Sequence, residues 1–214
     1  GKKINDIYNY FKKQDSSVTL NGISAILGNF WTESSITAKR AEGDYLSPPV
    51  GASANSWDDP NWLNMGNAEV YQGKYPNIIH RGIGLGQWTD TRDGSIRHTM
   101  LLNYAKDKGK KWYDLELQLD FMLNGDSPYY VEHLKNILHS SEDVDYLTNK
   151  FLVYWEGNEG DKVKERQHNA QQVLSYLKNP RGHTRGGSAV LESSWGFPSE
   201  YSSKISSYPS GATV

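Results

Sequence analysis

Thr19-Leu20-Asn21-Gly22-Ile23-Ser24-Ala25-Ile26-Leu27-Gly28-Asn29-Phe30-Trp31-Thr32-Glu33-Ser34 is the stretch that decides the fold class. Ile23, Ile26, Leu27 and Phe30 recur at helical spacing and make one apolar stripe, with Thr19 as the N-cap. Glu33 follows Phe30 by three residues and Ile26 by seven, which puts it at the margin of that stripe. It also sits near the expected C-terminus of the helix. Partial burial and the negative end of the helix dipole both disfavour its carboxylate. A carboxyl kept protonated near neutral pH suits general-acid chemistry. The plainer reading of Glu33 alone is a glutamate in the last turn of an exposed helix.

Outward from this helix the same period recurs. Ile4, Ile7, Tyr8 and Phe11 precede it. Ile96, Met100 and Tyr104 make one later face, and Leu115, Leu119 and Met122 another, stopped by Asn124-Gly125. Ser127-Pro128 opens a helix lined by Tyr130, Leu134, Ile137 and Leu138. Val144, Leu147, Phe151 and Leu152 give the next. Val163, Ala170, Val173, Leu174 and Leu177 give the last, which ends before Pro180. The pattern predicts a mainly α domain of about seven helices over residues 1–179.

Residues 37–80 carry no sustained period. They mix Gly, Pro, Asn, Asp and Ser with Tyr45, Trp57, Trp62, Tyr71 and Tyr75. So long a loop is unusual in a compact domain and is often functional, with room for a small β-hairpin. From residue 180 to 214, Ser, Gly and Pro make up nearly half of the chain, which reads as an irregular linker. Trp195, Phe197 and Tyr201 lie within it.

The composition closes off several classes. A net charge of −2 over 214 residues offers no basic surplus for nucleic acid. No apolar run approaches the length of a membrane span. With no cysteine there are no disulfides, thiolate nucleophiles or cysteine metal sites. The six histidines include no pair at helical ligand spacing, so no metal or other cofactor is expected. Glu156, Glu159 and Asp161 lack a calcium-loop signature. No nucleophile elbow supports a Ser–His–Asp triad. Lys108, Lys110 and Lys111 read as a solvated turn. The 7 Trp and 14 Tyr stand out on so polar a chain. They suit a large core, or a cleft whose rings stack on sugar faces.

Gly82-Ile83-Gly84-Leu85-Gly86-Gln87-Trp88-Thr89 is the second notable element. Alternate glycines let backbone approach a ligand closely. The spacing is not that of a dinucleotide fingerprint, and no βαβ pattern surrounds it. By itself it reads as a tight turn between helices.

Leu27-Gly28-Asn29-Phe30-Trp31-Thr32-Glu33-Ser34-Ser35-Ile36, followed by Gly84-Leu85-Gly86-Gln87-Trp88, resembles the phage tail lysozyme family, within the goose-type lysozyme and soluble lytic transglycosylase group. Thr89 with Arg92, and Phe151 to Trp155-Glu156 with Glu165-Arg166 and Ala170, agree with it. The resemblance covers roughly residues 4–178. It implies a lysozyme-like α or α+β domain acting on bacterial peptidoglycan glycan strands. It makes Glu33 the acid that protonates the oxygen between N-acetylmuramic acid and N-acetylglucosamine.

Hydrolysis by this route asks for a second carboxylate, whereas a lytic transglycosylase uses the sugar's own 6-hydroxyl and needs none. The carboxylates in view are Glu42, Asp44, Asp58, Asp59, Asp90 and Asp93, with Asp44 and Asp90 preferred as catalytic partners. Gln87, Trp88 and Thr89, with Trp57, Trp62 and Tyr75, are the expected substrate-binding residues, and Trp31 and Trp155 the expected core rings. The expected setting is the cell wall, extracellular space or virion tail. The protein would be the N-terminal part of a Gram-positive phage or conjugation cell-wall hydrolase, its linker leading to a further domain. A non-catalytic glycan-binding or structural module of a phage tail is the reading from another class.

Overall fold

A computed structural model describes residues 1–44, 55–158 and 160–180 of the chain. Tyr45, Glu159 and the linker expected beyond Pro180, with Trp195, Phe197 and Tyr201, lie outside the described residues.

All seven predicted helices form. They are α1 (Lys2–Gln14), α2 (Leu20–Ser34), α5 (Arg97–Lys108), α6 (Leu115–Asp120), α7 (Pro128–Leu138), α8 (Val144–Phe151) and α9 (Val163–Lys178). Two more, α3 (Pro60–Leu63) and α4 (Asn67–Val70), stand in the long loop. They are one turn each, too short to leave a periodic signal in sequence. A two-stranded antiparallel hairpin, β1 (Ile78–Ile83) and β2 (Trp88–Thr91), follows. The domain is mainly α, with this small sheet on one side.

Helix α2 is the central element. Thr19 caps it by accepting from the Gly22 N–H at 2.9 Å, and Thr19 Oγ1 donates to the Ser140 carbonyl beyond α7. Every residue from Gly22 to Ser34 is buried, so the apolar stripe of the sequence becomes a helix enclosed all round by α7, α8 and α9. Ser35 and Ile36 end it at φ 55° and 51°, a left-handed stop made without glycine.

Helix α5 turns slightly past the expected face: Met100 and Tyr104 pack half-buried against the core. Ile96 is exposed, and the buried residues are Arg97, His98, Leu101 and Ala105. The buried side of this helix carries two polar residues, each with partners. Arg97 pairs with Asp126 at 2.7 Å and donates to the Trp155 carbonyl. His98 meets the Arg81 carbonyl and the Asn64 amide. A hydrophobic count cannot find such a face.

Helices α6 and α8 each continue into a π turn, Phe121–Gly125 and Leu152–Glu156. Trp155 sits in the second. It packs on Phe151, Phe30 and Trp88 with ring centroids 4.7, 5.7 and 6.0 Å away. This aromatic block joins the helices to the hairpin. Among the described residues, no helix is long and apolar enough to cross a membrane.

Candidate functional site

Glu33 lies on the last turn of α2, and only 4 % of its surface is exposed. Its neighbour Ser34 donates from Oγ to the Leu85 carbonyl at 2.8 Å. The end of α2 is thereby tied to the turn of the hairpin, 51 residues on in sequence. Gln118 of α6 supports the same turn. Its Oε1 accepts from the Leu85 N–H at 2.9 Å, while its Nε2 donates to the carbonyls of Ala38 and Trp112. The chain leaving α2 then runs beside the hairpin. The Gly84 N–H donates to the Arg40 carbonyl and the Glu42 N–H to the Gly82 carbonyl. Three pieces that are distant in sequence therefore meet: the α2 terminus, residues 38–44 and the glycine element.

The glycine element does something other than expected. A Cβ at Gly84 would lie 2.7 Å from the Trp88 ring, and one at Gly86 would lie 2.6 Å from the Trp155 ring. Gly84 also has φ +81°. The small residues let backbone close onto tryptophan rings of the core. The turn belongs to a hairpin, not to a connection between helices.

A cation completes the surroundings of Glu33. Arg166 of α9 is fully buried, and its Nη2 donates to Glu33 Oε1 at 2.9 Å. Its Nη1 donates to Asn29 Oδ1 at 3.1 Å, and its Nε to the Asp161 carbonyl at 3.0 Å. The guanidinium favours the charged carboxylate, against the burial and helix dipole that favour the neutral acid. Lys162 stands half-buried at the start of α9 with φ 53°. Burial pulls its ammonium below the usual lysine range, while Glu165, Asp161 and Glu33 act in the opposite direction. Thr32 donates to Glu165 at 3.2 Å and accepts from Asn169 at 3.3 Å, fastening the same face of α2 to α9.

The other residues singled out in the sequence fall in varied places. Asp90 is buried in β2 and fully engaged. Its Oδ2 is 2.7 Å from His80 Nδ1 and 2.5 Å from Thr99 Oγ1, and its Oδ1 accepts from the Thr99 N–H at 3.1 Å. That is the position of a residue joining β1, β2 and α5. Asp44 accepts from the Ala41 N–H at 3.1 Å, and its other oxygen lies 3.7 Å from Arg40. Glu42 is fully buried beside β1. Asp58 is exposed and paired with Lys111, whose ammonium holds its carboxyl below the usual range. Asp59 caps α3, and Asp93 accepts from Thr91 in the turn after β2.

Gln87 turns back on its own hairpin, its Nε2 donating to the Gly84 carbonyl at 2.8 Å with φ 51°. Thr89 is buried and donates to the Gln87 carbonyl. Trp62 and Trp88 are each 1 % exposed, which corrects their expected place on a sugar-binding wall: both are core rings. Trp62 stacks under the buried Arg81 guanidinium at 3.8 Å. Trp31 and Trp155 are also in the core. Trp57 and Tyr75 are half-buried and keep part of their rings open. Lys39, just after α2, lies 5.3 Å over Trp57. Arg92 is exposed and donates to the Pro76 carbonyl.

Asn29 and Arg166 belong to the stretches that carry the family resemblance, but the sequence gives neither a role, and Arg166 is separated from Glu33 by 133 residues. A charged residue on the apolar face of α9 was the available signal.

A family model described as phage tail lysozyme matches residues 2–177. No curated protein and no solved structure matches the chain.

Proposed function

The chain belongs to the phage tail lysozyme family, and we propose that it cleaves the β-1,4 bond between N-acetylmuramic acid and N-acetylglucosamine with Glu33 as general acid. Family membership gives peptidoglycan lysis in general and points to action at a virion tail or outside the cell. One observation carries the finer reading: a nearly buried carboxyl stands where the end of α2 meets the hairpin turn.

Glu33 protonates the bridging oxygen, the glycosidic bond breaks, and positive charge develops at the anomeric carbon of the muramic acid. In the hydrolytic route Asp44, as the second carboxylate, takes a proton from a water on the opposite face of the sugar as the water oxygen bonds to the anomeric carbon. The buried, low-dielectric setting strengthens each of these charge effects. Of the four rings expected to bind sugar, Trp57 and Tyr75 retain surface for stacking. Glycan strands of Gram-positive walls are the proposed substrate.

A lytic transglycosylase outcome has one observation in its favour. Both oxygens of Asp90 are already engaged by Thr99 and His80, so the other preferred base is committed to structure. A transglycosylase needs no second carboxylate.

The test is digestion of purified Gram-positive peptidoglycan, with fragments identified by mass spectrometry and Glu33→Gln run in parallel. Fragments ending in reducing muramic acid support the hydrolase. Fragments one water lighter, with a 1,6-anhydro end, support the transglycosylase. Equal release by Glu33→Gln and the parent removes Glu33 from the chemistry.

A further inference from the structure

Arg166 uses all three arms of its guanidinium on α2 and on the approach to α9. Nε goes to the Asp161 carbonyl, Nη1 to Asn29 and Nη2 to Glu33. Asn29 and Glu33 are four residues apart, one helical turn, so a planar fork spans both. Asn29 is itself fixed, donating to the carbonyls of Ala25 and of Thr148 in α8 at 2.9 and 3.0 Å. A continuous chain of hydrogen bonds therefore runs from the α8 backbone through Asn29 and Arg166 to the Glu33 carboxyl. Two of the three arms end on groups held elsewhere, so the third is aimed.

Such an arrangement is costly if it serves packing alone. A buried ion pair is often no more stabilising than apolar residues of similar volume. Its effect on a proton donor is specific. When Glu33 gives up its proton the product is a buried carboxylate, and a guanidinium at 2.9 Å stabilises that product and the transition state leading to it. The other charged groups around the pair are Lys162, Asp161 and Glu165 on the α9 side. Arg40 stands on the far side, its Nε donating to the Ser34 carbonyl.

We propose that Arg166 is a positioning residue for catalysis: it orients the Glu33 carboxyl and holds the charge left there after proton transfer. This rests on the reading of Glu33 as the acid.

The experiment measures fragment release from purified peptidoglycan against pH for the parent, Arg166→Gln, Arg166→Lys and Glu33→Gln, with a thermal melt of each. The sign follows from the pair. Removing the guanidinium leaves Glu33 protonated to higher pH, so the alkaline limb of the profile moves up. Arg166→Gln is expected to release fragments about 100-fold more slowly, with that limb moved up by about one pH unit. Its sedimentation with intact peptidoglycan is expected to match the parent. Arg166→Lys restores part of both rate and limb. A folded Arg166→Gln with the parent's rate overturns the proposal. So does a slower one whose limb stays in place and which lysine does not rescue, since that is a packing defect. If the glutamine variant does not fold, the limb of Arg166→Lys decides, and an unmoved limb overturns the proposal. Full activity in Glu33→Gln sinks the acid reading itself, a result separable from any of these.

Discussion

Gly28 of α2 lies against Ala170 of α9 so closely that a Cβ at position 28 would fall 2.6 Å from the Ala170 Cβ and 2.7 Å from its backbone nitrogen. This contact sets how near the two helices run, and the same two helices bring Glu33 to Arg166. In an open helix Gly→Ala gains about 0.5–1 kcal/mol. Here the clash is with backbone, which cannot swing away, and overpacking of this kind costs about 1–3 kcal/mol or more. Gly28→Ala is expected to lower the melting temperature and to slow fragment release even where the fold is intact. A variant as stable and as active as the parent would mean that α9 can slide along α2 without consequence.

Arg97 and Asp126 make another deeply buried ion pair. The guanidinium lies 3.7 Å from the Tyr130 ring and 4.2 Å from the Trp155 ring, and donates twice to Asp126 and once to the Trp155 carbonyl of the π turn. Removing one partner strands the other, at a cost of about 3–5 kcal/mol. Asp126→Asn and Arg97→Lys should each lower the urea midpoint substantially, because lysine reproduces neither the fork nor the ring contacts. Joint replacement by Met and Leu should recover part of the loss. Additive losses in the double variant would count against a coupled pair.

His98 gives the fold a pH dependence. It is buried on the face of α5 that packs against β1, and burial pulls its pKa from 6.5 down to about 4, against the opposing pull of Asp90. Nδ1 lies 2.7 Å from the Arg81 carbonyl and Nε2 2.9 Å from Asn64 Oδ1, and the neutral ring has one N–H to donate to these two acceptors. Between about 4 and 6.5 the unfolded chain binds the proton and the native state does not. Stability therefore rises with pH across that window and is lost as pH falls through it, with a slope approaching about 1.4 kcal/mol per pH unit. The charged neighbours are Asp90, Arg81 and His80, whose ring is 5.3 Å away. Urea midpoints from pH 4 to 7 should show a shallower slope for His98→Gln than for the parent, with His80→Gln as control. Parallel lines for parent and His98→Gln would refute the assignment.

The helices were legible because each buries a stripe at a 3.6-residue period, and α2 most of all. The loop between α2 and α5 was not. Its short helices and hairpin are held by single polar staples such as Arg81, which donates to the carbonyls of Glu42 and Trp62. Such staples leave no period in the sequence. Tryptophan was the least legible residue, since Trp57 and Trp62 pack 4.9 Å apart yet one is half-buried and the other enclosed. Glu33 stood out through the family resemblance, its place at the margin of the stripe alone reading as an exposed glutamate. Its ionic partner did not, because pairing across 133 residues depends on how α9 docks.

Asp90 separates a structural carboxylate from a catalytic one. Its two oxygens hold His80 in β1 and both the N–H and the hydroxyl of Thr99 in α5, and it is 4 % exposed. Asp90→Asn keeps the shape but loses the charge on which His80 and the Thr99 N–H depend, and charge-assisted bonds are worth about 1.5–3 kcal/mol each. The variant is expected to melt earlier by an amount of that order, while its products at low temperature remain those of the parent. A general base behaves in the opposite way: the melt is preserved and release of reducing-end fragments collapses. Asp44→Asn measured alongside completes the comparison. If it removes reducing-end fragments and Asp90→Asn does not, Asp44 is the base. If neither changes the products, water needs no second carboxylate here and the 6-hydroxyl route gains its strongest support.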